Sequence, residues 1–109
     1  MAVLNAQQTL CAAIASHQLV RLRYQDDLQF RVFAPHIVYR SSTGKTLVAG
    51  TQINNPAEPL ERNEPRNFDL AELTALEVAG EKFRPHHDFD RHDKRYRNGT
   101  ICVIGAIAR

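Results

Sequence analysis

Three short apolar runs, each closed by a tight turn or a proline, fill the stretch between Leu19 and Thr51. Few architectures other than an antiparallel sheet accommodate that rhythm. Val20, Leu22 and Tyr24 alternate with Arg21 and Arg23, and Gln25-Asp26-Asp27 breaks the run. Phe30, Val32 and Ala34 alternate with Arg31 and Phe33 up to Pro35, and Ile37-Val38-Tyr39 carries the strand on. Proline cannot donate to a ladder, so Pro35 predicts a bend or an edge. Ser41-Ser42-Thr43-Gly44 turns the chain into Thr46–Thr51. The period of two places Leu22, Phe30 and Val48 in the core and reads as a meander or a small barrel.

The flanks complete the pattern. Ala6, Leu10, Ala13, Ile14 and His17 recur at helical spacing, which predicts a helix over 6–17 with Asn5 as its cap and Gln8 as the capping-box partner. Residues 54–65 are acidic and hold three prolines, the composition of a surface loop. Arg66–Leu70 and Thr74–Val78 resume as strands, adding Leu70 and Val78 to the expected core. Asn98-Gly99, between Arg95-Tyr96-Arg97 and the apolar run 100–107, is a strong hairpin signal. One domain over 1–109 is expected: the helix, a barrel over about 19–80, and a charged tail with a final hairpin over 81–109. At 109 residues the chain suffices for one modest core.

Charge is arranged in blocks. Residues 1–18 carry none, 19–50 hold five basic and two acidic residues, 51–81 two and seven, and 82–97 six and three. Net charge is only +2, which argues against tight nonspecific binding to nucleic acid. No apolar run approaches the roughly 18 residues of a membrane span. The N-terminus lacks a basic, apolar leader pattern. A cytoplasmic protein is expected, with Cys11 and Cys102 as reduced residues in apolar runs.

The order of residues resembles the WYL domain family. A helix leads into a strand ending at Tyr24; Arg31, Pro35 and Gly44-x-x-Leu47-Val48-Ala49 follow. Arg66-x-Phe68-x-Leu70-x-x-Leu73 and Phe83-x-Pro85 close the pattern. The triplet that names the family stands here as Lys45-Thr46-Leu47, with only the leucine kept. Room for at most one helix in 1–18 points to a standalone module. The resemblance implies a mainly β fold with one N-terminal helix and an SH3-like or Sm-like small β-barrel. It also implies a bacterial, transcription-regulating role that senses a ligand, in some members a nucleotide or nucleic acid.

Arg31 and Arg66 are the basic residues carried over from the family pattern, and two guanidinium groups converging on a groove would hold an anion. The bland alternative is a pair of solvated or salt-bridged arginines. Arg21, Arg23, Arg40 and Lys45, with Tyr24 and Tyr39, could form a basic, aromatic surface for a single strand, or simply a solvated sheet face. The expected ligand-binding set is therefore Arg31, Arg66, Arg23, Arg40, Lys45 and Tyr24. The run His86–Asp93 is rich in metal-type side chains but interleaved with positive charge, and no metal or cofactor is expected. No nucleophile elbow, P-loop, His-Glu-x-x-His or Gly-rich dinucleotide loop is present, so a non-catalytic module binding an anionic ligand is expected. The alternative is a protein–protein interaction or homodimerisation domain that has lost the ligand site.

Overall fold

The computed structural model describes residues 2–60 and 63–105. Helix α1 (Val3–Ser16) buries Ala6, Leu10, Ala13 and Ile14 as one stripe. It starts a turn earlier than the expected 6–17, because Val3 also packs on that core. Ala2, not Asn5, is the N-cap, and no side chain caps it. The helix ends where His17 turns left-handed (φ 55°) and its N–H meets the carbonyls of Ala13 and Ile14.

Six antiparallel strands follow: β1 (Gln18–Tyr24), β2 (Arg31–Arg40), β3 (Thr46–Asn54), β4 (Glu64–Asp69), β5 (Leu73–Lys82) and β6 (Thr100–Val103). The order is β4-β3-β2-β1-β5, with β6 also on β2. β2 organises the sheet. β3 runs along one edge; β1 pairs with Arg31–Phe33 and β6 with Ile37–Tyr39. Register shifts between Pro35 and Ile37, which reconciles the proline with a central strand.

The sheet does not close into the expected small β-barrel: β4 and β5 end the strand path, β6 lies off it on β2, and the 3-10 turn Leu70–Glu72 carries the chain from β4 to β5 with no pairing between those two strands among the described residues. Asp69 caps that turn by accepting from the Ala71 N–H at 3.0 Å.

The sheet is covered on both faces. α1 lies over Val20, Leu22, Phe33, Val38, Val48, Phe68 and Leu70. A second, smaller cluster holds Ile37, Tyr39, Ala49 and Tyr96, with Phe89 packed against it. Leu10, Ile14, Leu22, Val48 and Leu70 are buried as expected. Phe30 and Val78 are not: a register shift between Val32 and Phe33 turns Phe33 inward instead, and Val78 on the β5 edge stays 40% exposed.

The C-terminal hairpin is also corrected. Lys94–Tyr96 is a 3-10 turn, and β6 pairs with β2 rather than with residues 95–97. Gly99 does take the positive φ (129°) that its position required, but it feeds a different partner strand. Of the expected strand 100–107, residues 106–107 lie outside the described residues.

Cys11 on α1 and Cys102 on β6 form a disulfide, with Cα atoms 5.8 Å apart. The expectation of reduced cysteines fails because the sheet brings together positions separated by 91 residues. Closing a loop of that length removes unfolded-state entropy worth about 4.6 kcal/mol in the chain-entropy description. No helix among the described residues is long and apolar enough to cross a membrane.

Candidate ligand site

The second face of the sheet carries the site, and the segment after β5 builds its roof. Phe83 donates its N–H to the His17 carbonyl (2.8 Å), which starts the segment across the sheet. The His86 N–H then donates to Nε2 of His36 at 2.9 Å. His36 lies on β2, 1% exposed, with the rings of Phe83 and Phe89 each 5.2 Å away. Two short turns follow, closed by the Phe89 N–H on the His86 carbonyl and the Asp93 N–H on the Asp90 carbonyl. Asp93 caps the last 3-10 turn through the Arg95 N–H (3.0 Å) and accepts from Arg95 Nε (3.2 Å). Tyr96 anchors the end, edge-on to Tyr39 at 4.7 Å, and the Tyr39 hydroxyl donates to Asn67 Oδ1 at 2.7 Å. Aromatic burial therefore ties an otherwise charged segment to the sheet.

A cavity of about 410 Å³ lies between sheet and roof. Ala49, Gly50 and Thr51 of β3 form its floor, and Arg66 and Asn67 of β4 one wall. The roof contributes His86, Phe89, Asp93, Arg95 and Tyr96. A second recess of about 510 Å³ adjoins it, sharing Asp93 and Arg95 and adding Tyr39, Ser41, Ser42, Lys94 and Arg97. Charge separates the two. The first sets Arg66 and Arg95 against Asp88, Asp90 and Asp93; the second sets Lys94, Arg95 and Arg97 against Asp93 alone. An anionic group suits the recess, and a polar, ring-bearing body suits the cavity beside it.

Protonation states follow from the bonding. Because His36 Nε2 accepts from the His86 N–H, the proton sits on Nδ1 and is donated to the Ala34 carbonyl at 2.8 Å. Burial holds the His36 imidazole below its ordinary pKa of 6.5, so it stays neutral. Burial likewise pushes the Tyr39 and Tyr96 hydroxyls up. The sign for His36 is definite. Its neutral form contributes stability that is complete above about pH 6.5, the unfolded value, and is lost as pH falls through the lowered folded value. Denaturant midpoints measured from pH 7 to pH 5 should fall more steeply for the wild type than for His36→Gln. Parallel slopes would remove His36 from the account.

The six expected ligand residues separate. Arg31 makes a bidentate pair with Asp27 (2.7 and 3.0 Å), donates to Gln52 Oε1 (3.1 Å) and lies over the Phe68 ring. The Arg31 guanidinium holds the Asp27 carboxyl below its usual range. Arg66 lies on β4 opposite Gly50 and donates to the Pro65 carbonyl (3.2 Å); it lines the cavity, and Arg31 does not. Tyr24 packs 4.8 Å from Phe68, and its hydroxyl accepts from the Asp69 N–H. Arg23 stacks over Phe30 at 4.6 Å, and Arg21 pairs with Glu77. Lys45 lies 3.9 Å from Asp69, and Arg40 ends β2 exposed. These residues do not form one basic surface. Among the described residues no group of three His, Cys, Asp or Glu side chains is placed to hold a metal ion, although the His86 and His87 rings stack at 4.7 Å.

Sequence reasoning missed Lys94, Arg95, Arg97, His36 and Tyr96. The available signal was the spacing of Phe83, Phe89 and Tyr96 through a charged run, which a solvated tail does not need.

The architecture defines a class: a helix on an open six-stranded antiparallel sheet, with a roofed polar cavity on the opposite face. No family model and no curated protein matches the chain. Among solved structures it is similar to proteasome accessory factor B/C (PafBC) of Arthrobacter aurescens, with a TM-score of 0.63 and 21% identity over 79% of this chain and 13% of that one. The chain thus spans about an eighth of that protein. At this identity the likeness is one of fold, and it supports a WYL-like fold.

Proposed function

We propose that this chain is a non-catalytic, cytoplasmic regulatory module that senses an anionic ligand, a nucleotide or a short single-stranded nucleic acid, in the service of transcriptional control. The observation that carries this reading is the junction of the two recesses at Arg95. A phosphate beside Lys94, Arg95 and Arg97 leaves the rest of the ligand next to Phe89 and Tyr96, where rings stack. The WYL-like fold is in keeping with a regulatory role.

Nucleoside monophosphates and short oligonucleotides titrated calorimetrically at about 50 mM salt should bind, with affinity falling as salt rises. Arg95→Ala should weaken binding about 10- to 100-fold, the scale of a lost charge-assisted hydrogen bond. Arg31→Ala should leave affinity near wild type and lower stability. No binding by the wild type would end this reading. It would favour the alternative, a protein–protein interaction or homodimerisation domain, for which the supporting features are the β5 edge, paired with β1 alone among the described residues, and the exposed Val78.

A further inference from the structure

We infer that the Cys11–Cys102 disulfide is a redox-operated clasp on the cavity roof. Reduction releases β6 and residues 94–99 from β2, while α1 and β1–β5 keep their fold.

The roof is held at two ends of different kinds. Its N-terminal end rests on the Phe83 and His86 backbone bonds to His17 and His36. Its C-terminal end rests Tyr96 on Tyr39 and then runs into β6, four residues long, which pairs only with β2 among the described residues. That pairing is supplemented by the Arg40 N–H on the Gly99 carbonyl (2.8 Å) and the Ile104 N–H on the His36 carbonyl (2.7 Å). Apart from the disulfide and this pairing, β6 and the residue after it contribute Ile104 to the main core, with Ile101 packed against it, whereas α1 contributes four buried residues. The disulfide adds the covalent tie, to a helix that has its own anchorage: Ala6, Leu10, Ala13 and Ile14 are buried without help from Cys11. Cutting the bond therefore deprives β6 of far more than it deprives α1.

The freed end is also the charged end. Lys94, Arg95 and Arg97 lie in the segment immediately before β6, so the state of the disulfide sets whether the cationic recess is assembled. Cys11 and Cys102 are both half-buried, within reach of a small dithiol rather than sealed in the core. The step is thiol–disulfide exchange. A dithiol thiolate attacks one sulfur, the Cys11–Cys102 bond breaks, and the second dithiol sulfur resolves the mixed disulfide. Two protein thiols form and the dithiol leaves as a disulfide. In a reducing compartment such bonds are transient and responsive. The setting, though not the clasp itself, rests on the cytoplasmic reading above.

The test is a nitrogen-15 correlation spectrum of the full chain with and without dithiothreitol, and of Cys11→Ser/Cys102→Ser without reductant. No ligand is needed, so failure to bind nucleotides leaves this result untouched. The expected outcome is loss of dispersed signals for residues 94–104 in both reduced and double-variant forms, with those of α1 and β1–β5 preserved. Unchanged spectra would show that β6 needs no clasp and overturn the inference. Collapse of the whole spectrum, in either form, would overturn it equally, because the bond would then hold the entire fold.

Discussion

Replacing Phe33 by alanine should lower the unfolding free energy by about 3–5 kcal/mol, the range for a buried aromatic truncated in a core that cannot collapse around the gap. Phe33 is completely buried. Its ring meets Phe68 edge-on at 5.0 Å, and its tip lies over the space that Gly50 leaves empty. Both neighbours are fixed: Phe68 is held between Tyr24 and Phe33, and Gly50 belongs to the backbone of a central strand. Urea titration followed by far-ultraviolet dichroism measures the loss. A change below about 1 kcal/mol would mean that the site relaxes and that Phe33 is not the pivot of the main core.

Gly50→Ala should cost about 3 kcal/mol or more, at the upper end for overpacking. A Cβ at this position would sit 2.1 Å from the Ala34 carbonyl oxygen and 2.9 Å from the Phe33 ring. The ring can turn, but the carbonyl belongs to β2 beside the Pro35–Ile37 register shift, so β2 and β3 would have to separate. The same two strands floor the candidate cavity. The variant should therefore lose denaturation midpoint and ligand affinity together. Wild-type stability would show that β2 and β3 can part locally at no cost.

Much of the fold was legible because its signals are local. The α1 stripe follows from Ala6, Leu10, Ala13 and Ile14, and the strands around Leu22, Val48 and Leu70 follow from alternation. The errors share one cause, which is that a long-range partner overrode a local preference. Phe30 gave way to Phe33 because pairing with β3 shifted the register of β2. Arg95-Tyr96-Arg97 looked like half of a hairpin. Burial of Tyr96 against Tyr39 instead wound it into a 3-10 turn, and β2 took the strand that followed. The disulfide had no local signature at all.

The site divides in the same way. The family pattern singled out Arg31 and Arg66, of which only Arg66 lines the cavity. What alternation could not disclose is that Asp27, four residues earlier and held by the β1–β2 turn, occupies the Arg31 guanidinium. Besides Arg66, the cations beside the cavity come from a segment whose composition reads as solvent-exposed.

Amide chemical-shift mapping of a nucleoside monophosphate titrated into the wild-type protein at low salt tests the proposed site most directly. The predicted perturbations cluster at Gly50, Thr51, Asn67 and residues 86–97 and spare Arg21 and Glu77 on the paired β1 and β5. Absence of perturbation at millimolar ligand, or a cluster centred on β1 and β5, would contradict it.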